Sequence, residues 1–327
     1  MRLIGLAVVL AVSLILAPLA VEAQPAGKVY RVGVLSPIFP RSQHEMLDLV
    51  LGNLRDRGYI EGKNLLVEHR SADGRLALLP DLAGELTRLK VDVIMAEAAP
   101  AIKAAQTASK TTPIVMIIGD DPVRSGFVAS LARPGGNVTG VALLAADLAA
   151  KRLEFLKMAA PGTHRVAVLV NPSNPTMLER LGEVQTAAAT LRMQVVVVEA
   201  RGPEQLDGAF ALITRERPDA LLIFPDPIFF RERRRIGDFA SKSRLPMVSD
   251  WRQMAEVGAL IAYGPSFPGV ARRVAIYMDR IFKGANPADL PVEQPTEVDL
   301  VLNLKTAKAL GLTIPQTLLQ RADQVIQ

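Results

Sequence analysis

The residues of this chain best suited to chemistry are polar or aromatic groups placed where β-branched runs stop. Ser36 and Pro37 follow the run from Val29 to Leu35, and Glu97, Ala98 and Ala99 follow Val91 to Ala96. Gly119, Asp120 and Asp121 follow Ile114 to Ile118, and Asn171 and Asn174 follow Val166 to Val170. Asp226 comes after Ala220 to Phe224, Asp250 and Trp251 come after Pro246 to Ser249, and Tyr263 ends the run from Gly258. Helices are expected to begin just after several of these points. Their free N–H groups and dipoles can hold a ligand carboxylate. The acids can hold an ammonium group, and an aromatic face adds stacking or cation–π contacts. The chemistry implied is recognition of a zwitterion such as an amino acid. Taken singly, each Asp or Ser before a helix also reads as a helix cap, and Trp251, the one Trp in the chain, also reads as packing between lobes. The case for a site therefore rests on the set.

Bond-breaking machinery is absent from the pattern. The three His, His44, His69 and His164, are not spaced with a carboxylate or with one another as a metal pair requires. There is no Gly-x-Ser-x-Gly elbow, no Gly-x-x-x-x-Gly-Lys phosphate loop, and no Gly-x-Gly-x-x-Gly after the first strand. The chain has no Cys, which removes a thiol nucleophile, disulfides and Cys-ligated metals. No catalytic residue, metal or cofactor is expected.

The elements that must position these groups form a repeat. Arg31-Val-Gly-Val-Leu-Ser-Pro37 returns as Arg165-Val-Ala-Val-Leu-Val-Asn-Pro172, Val91-Asp-Val-Ile-Met95 as Pro218-Asp-Ala-Leu-Leu-Ile223, and Thr112-Pro-Ile-Val-Met116 as Leu245-Pro-Met-Val248, at offsets of 134, 127 and 133 residues. Between the runs lie helical patterns: Met46 to Leu54, ended by Gly58; Leu78 to Leu89; Pro100 to Ser109; a helix opened by Pro122; Asp147 to Met158; Met177 to Leu191; Gln205 to Arg215; Phe230 to Ser241; and Pro268 to Phe282. Further strands are predicted at Asn64 to Glu68, Val138 to Leu143 and Gln194 to Glu199, with a turn at Arg133-Pro-Gly-Gly-Asn137. Strands alternating with helices imply parallel sheets covered on both faces. Two α/β lobes in tandem, 24–143 with about 265–293 and 144–264 with about 294–327, place two sets of strand ends across one cleft. The segment Pro291 to Leu304 fits neither repeat and is expected to cross between lobes.

The first 23 residues read as a signal peptide: Arg2, an apolar stretch from Leu3 to Leu16, Pro18, and Val21-Glu22-Ala23 before the cut. An uncleaved anchor is the rival reading, since Leu3 to Val21 is almost long enough to span a bilayer. Without the signal, 304 of the 327 residues remain, a length that favours two lobes. An exported chain without a lipid-bearing Cys is expected free in a bacterial periplasm. The net charge of +5 is dispersed, and the dense run Arg231-Glu-Arg-Arg-Arg235 lies in a helical stretch, so it reads as a solvated face and not as a nucleic-acid patch.

Several segments resemble the substrate-binding proteins of ABC transporters, a family that includes tryptophan/tyrosine-type members. They are Val170-Asn-Pro-Ser-Asn-Pro175, Gly119-Asp-Asp-Pro-Val123, Leu131 to Gly140, Lys283 to Thr296 and Asn303 to Gly311. The resemblance implies a type 1 periplasmic-binding fold, two Rossmann-like doubly wound lobes closing over one ligand. It implies cleft roles for Ser36, Ala98, Asp121, Asn171, Asp226 and Tyr263, to which the strand-end reading adds Trp251. Asp120 stands where the family usually has a second Gly, and Pro227-Ile-Phe-Phe230 replaces the common Pro-Phe-Phe-Asn. The implied function is solute binding for an importer, by a monomer that meets a small-molecule ligand and an ABC permease in the inner membrane. The alternatives are a ligand-sensing receptor domain and, ranked lower, a carboxylate-dependent hydrolase.

Overall fold

The structure, a computed structural model, describes residues 28–327 apart from 120, 144, 145, 175 and 176. The expected signal peptide and Asp120 lie outside the described residues.

The chain begins with β1 (Tyr30–Ser36), α1 (Glu45–Arg55), β2 (Leu65–Ser71), α2 (Leu79–Arg88), β3 (Val93–Glu97), α3 (Ala98–Ala108), β4 (Ile114–Ile118) and β5 (Val138–Ala142). These strands form a parallel sheet in the order β2-β1-β3-β4-β5. Alternation along each strand sends successive residues to opposite faces. Val93 and Met95 pack with Val32 and Val34 under α1, while Ile94 and Ala96 pack with Leu35 under α2 and α3. Both faces are covered, so all five residues of β4 are apolar and buried.

The next part runs α4 (Ala146–Ala159), β6 (Arg165–Val170), α5 (Met177–Thr190), β7 (Gln194–Glu199), α6 (Leu206–Glu216), β8 (Ala220–Ile223), α7 (Pro227–Arg231), α8 (Arg233–Lys242), β9 (Met247–Ser249), α9 (Arg252–Glu256) and β10 (Ile261–Pro265). The chain then returns as α10 (Phe267–Phe282), whose apolar stripe Val270, Val274, Tyr277 and Met278 joins the core of the first sheet. It ends with β11 (Val298–Asn303), α11 (Leu304–Leu310), α12 (Gln316–Leu319) and β12 (Gln324–Ile326). The second sheet has the order β12-β11-β10-β9-β8-β6-β7, all parallel except β10 against β11.

The repeat seen in the residues is thus a repeat of topology. β7-β6-β8-β9-β10 copies β2-β1-β3-β4-β5 strand for strand. The order 2-1-3-4-5 has one reversal, between its first and third strands, and ligands bind outside the strand ends at such a switch point. The chain passes from one sheet to the other three times: after β5, after β10, and between the bridge of Glu293 to Val141 and β11.

Two local expectations are corrected. Pro122 opens turns and not a helix: Asp121 Oδ1 accepts from the N–H groups of Val123 (2.8 Å) and Arg124 (3.2 Å), and Gly126 at φ 71° turns the chain out. The helix expected from Phe230 to Ser241 is two, α7 and α8. Asp226 caps α7 by accepting from Ile228 N, which moves its start to Pro227, and Glu232 at ψ 13° interrupts the helix. The segment Pro291 to Leu304 passes from one sheet to the other, from the bridge of Glu293 to Val141 to the antiparallel β11.

Candidate functional site

Both switch points face one cavity of about 180 Å3. From the first sheet it takes Pro37 and Ile38 after β1, Glu97 and Ala98 after β3, and Gly119 after β4. From the second it takes Asn174, Pro225, Pro227, Asp250 and Trp251 after β6, β8 and β9, with Arg180 from α5. Leu143, Pro265 and Phe267, at two of the crossings, close one side. Phe39, Phe230 and Trp251 make the aromatic wall: Phe230 stands edge-on to both Phe39 (5.1 Å between centroids) and Trp251 (4.9 Å). The cavity is a mostly apolar box with, among the described residues, three charged ones in its lining, Glu97, Asp250 and Arg180.

The lobes touch around this cavity. Arg231 Nη1 of α7 donates to the carbonyl of Asp73 (2.8 Å), Gln253 Nε2 donates to Glu45 Oε2 (2.7 Å), and Arg180 donates to the carbonyl of Gly119. The basic run is largely engaged within the chain: Arg235 pairs with Asp207 at 2.6 Å, and Arg233 lies over the ring of Phe230.

The seven expected site residues separate into three groups. Ala98 and Trp251 line the cavity directly. Ala98 sits at φ 59°, a left-handed backbone that a residue with a Cβ adopts at some cost, and it turns the chain sharply from β3 into α3 at the cavity wall. Ser36, Asn171 and Asp226 brace the walls from behind. Ser36 is fully buried and its Oγ accepts from Phe39 N at 3.1 Å, fixing the loop that carries Phe39. Asn171 Nδ2 donates to Asp226 Oδ2 (3.1 Å), tying the two strand ends at the second switch point, and Asn171 Oδ1 accepts from Ser173 N. Asp121 and Tyr263 are placed elsewhere. Asp121 caps its own turn and pairs with Arg124 at 3.3 Å. Tyr263 is the middle residue of β10, which runs on to Pro265. Its ring packs edge-on against Phe155 in the second core, and its carbonyl accepts from Arg152 Nε (2.7 Å).

Two clusters that residue spacing did not reveal lie at the cavity. On the second lobe, Asp250 is 5% exposed, and Arg152, 4% exposed, acts on it together with Arg180. Burial pushes the Asp250 carboxyl up, while the two guanidinium charges and the Ser249 hydroxyl, which donates to Oδ1 at 3.2 Å, pull it down. Burial likewise lowers the Arg152 guanidinium. On the first lobe, His44 Nε2 donates to Glu97 Oε1 at 2.8 Å, and His44 Nδ1 lies 3.0 Å from His69 Nε2. The two rings stand edge to face and do not converge on a common point, and among the described residues no group of three His or carboxylates could hold a metal ion.

The His69 ring is pushed down to about 4, first by burial, then by the charge of His44, with Arg41 and Arg70 acting the same way and Glu97 opposing. A base that resists protonation in the fold binds fewer protons than the unfolded chain between its ordinary value of 6.5 and about 4. Folding stability is therefore expected to fall as pH drops through that window. The loss should be about 1–2 kcal/mol, reduced from the full linkage because the ring is partly exposed. Denaturant melts at pH 7 and pH 4.5 check this, and His69→Gln should flatten the dependence.

Comparison with known proteins gives consistent similarities. The family model described as ABC transporter substrate binding protein matches residues 31–326. The tyrosine-binding protein of Clostridioides difficile (strain R20291) is 25% identical over 260 residues, 79% of this chain and 74% of that protein. A conserved domain protein from Vibrio cholerae superposes with a TM-score of 0.84 at 27% identity, over 91% of this chain and all of that one. An ABC domain from Streptococcus pneumonia in complex with L-Trp does so with a TM-score of 0.81 at 24% identity, over the same shares.

Proposed function

From the premise that this chain belongs to the ABC transporter substrate-binding protein family and has the type 1 periplasmic-binding fold, we propose that it is the exported solute receptor of an importer, which takes a small amino acid or similar zwitterion between its lobes and presents it to a separate permease. The lobes of this proposal are 24–143 with about 265–293, and 144–264 with about 294–327. The observation that carries the reading is the cavity itself: one chamber formed by the strand ends of both sheets at equivalent switch points, with a carboxylate on one wall and an arginine on the other.

Volume and lining support a ligand class. A cavity of 150 Å3 lined by apolar side chains is known to accept benzene, so about 180 Å3 has room for a single ring or a branched aliphatic group. A ligand touching both walls stabilises the arrangement in which the lobes meet, and it shifts the open–closed equilibrium only by that difference in affinity. In this reading Ala98 and Trp251 touch the ligand. Ser36, Asn171 and Asp226 hold the walls in place, and Asp121 and Tyr263 contribute from outside the cavity. A C. difficile relative named for tyrosine and an L-Trp complex among the similar structures favour an amino acid. Among the described residues no helix is long and apolar enough to cross a membrane, which is consistent with a permease on another chain.

Trp251 supplies the test. It is the only Trp and lines the cavity, so its emission should change saturably when an amino acid enters. Titrating the chain with single amino acids and recovering the solute afterwards is expected to give one site per chain and an unaltered solute. Turnover of the solute would favour the hydrolase reading instead.

A further inference from the structure

Glu97 sits at the C-terminal end of β3, at the switch point of the first sheet, on the wall of the cavity. Its side chain is 12% exposed. One carboxylate oxygen, Oε1, is held by His44 Nε2 at 2.8 Å. The other, Oε2, is buried and has no hydrogen-bond partner among the described residues. An ionised carboxylate only accepts hydrogen bonds, so the bond with His44 requires the proton to be on Nε2 of that ring. His44 is 1% exposed and its other nitrogen meets His69, so the donor is held in one orientation. The turn after Glu97 is fixed by the left-handed Ala98. Carboxylate, donor ring and backbone are thus set in place before any ligand arrives, and a buried oxygen left without a donor is costly.

Asp250, the other carboxylate in the lining, differs in its surroundings. Arg152 and Arg180 balance its charge, and the Ser249 hydroxyl donates to it. Of the two described carboxylates in the lining, the one with an oxygen lacking a partner is therefore Glu97, through Oε2.

We propose that Glu97 is the cation-receiving group of the site: Oε2 accepts an N–H of the ligand's ammonium, while His44 holds Oε1 as a positioning residue. The proposal rests on the solute-binding reading above and deepens it, because it requires an amine-bearing ligand. An aromatic or aliphatic acid lacking the amine leaves Oε2 buried and unpaired and should be rejected.

The test uses matched pairs with and without the amine: L-phenylalanine and 3-phenylpropionate, L-tyrosine and 3-(4-hydroxyphenyl)propionate, L-tryptophan and indole-3-propionate, L-leucine and 4-methylpentanoate. Each is titrated calorimetrically into the wild-type chain and into Glu97→Gln, whose folding is checked by its thermal midpoint. The expected result is that at least one amine binds the wild type, its partner binds at least 100-fold more weakly, and Glu97→Gln loses at least tenfold for the amine. Equal binding of an acid and its amine overturns the assignment even if the variant does not fold. Unchanged amine affinity in a folded Glu97→Gln also overturns it. In both cases the solute-binding reading stands. Binding of acids alone removes the amine requirement but keeps a solute receptor, whereas a wild type that binds no member of any pair contradicts both.

Discussion

Replacing Arg152 by Met is expected to destabilise the fold by about 3 kcal/mol, more than an ordinary surface substitution by a wide margin. Arg152 is buried in the second lobe, donates through Nε to the carbonyl of Tyr263 at 2.7 Å, and is the largest favourable charge acting on buried Asp250. Met keeps much of the apolar bulk and removes the charge, so the loss comes chiefly from a buried carboxylate with one counter-charge fewer, a change that typically costs about 3–5 kcal/mol. Arg180 still acts on Asp250, which places the expected value at the low end. The pH dependence has a definite sign. With Arg152 gone, the folded-state value of Asp250 rises further above its unfolded value, so the fold binds a proton more readily than the unfolded chain does. Stability then decreases as pH rises, and Arg152→Met should be closer to wild type at pH 5 than at pH 8. Urea denaturation at the two pH values measures this. A variant equally destabilised at both would mean that Arg152 acts by packing alone.

Gly264→Ala is expected to cost a similar amount for a geometric reason. A Cβ on Gly264 would lie 2.1 Å from the carbonyl oxygen of Asp250. The obstacle is backbone, so no rotamer change relieves it, and β10 must move away from the end of β9. Overpacking of this kind costs about 1–3 kcal/mol and sometimes more. Because the displaced residue is Asp250 in the cavity lining, ligand affinity should fall with stability. Gly52→Ala is the matched control. It lies in α1 with nothing within 4 Å of an added Cβ, so the helix propensity of Ala should raise stability by up to about 1 kcal/mol. Denaturation of the two variants side by side should give opposite signs, and two losses would contradict the geometry given for α1.

The pair of sheets was legible because the repeated runs carry their own punctuation. β1, β3 and β4 are buried on both faces, so they read as short apolar runs; they stop at Ser36, Glu97 and Gly119, of which Glu97 and Gly119 line the cavity and Ser36 braces it from behind. The returns in β6, β8 and β9 made the second lobe visible by the same signal. What the residues did not show depends on contacts distant in sequence. Glu97 was one of several polar strand ends, and nothing nearby marks it out. Its partner His44 is 53 residues away, and His69 is 25 residues from His44. Asp250 gains its character from Arg152 and Arg180 on two other helices. The apolar run from Gly258 stops at Tyr263, which marks it as a strand end, but β10 continues to Pro265, which leaves the Tyr ring mid-strand over the core. At Pro122 the initiation signal was sound, yet Asp121 and Gly126 close the turn before a helix can propagate.

A receptor that holds one small zwitterion between two lobes should keep it through native mass spectrometry of the chain purified without refolding. Denaturation and identification of whatever small molecule is released complete the measurement. The expected result is a single stoichiometric adduct that is an amino acid or a close amine-bearing relative. A protein that carries no adduct as purified and gains none when incubated with the amino acids of the paired panel would contradict it.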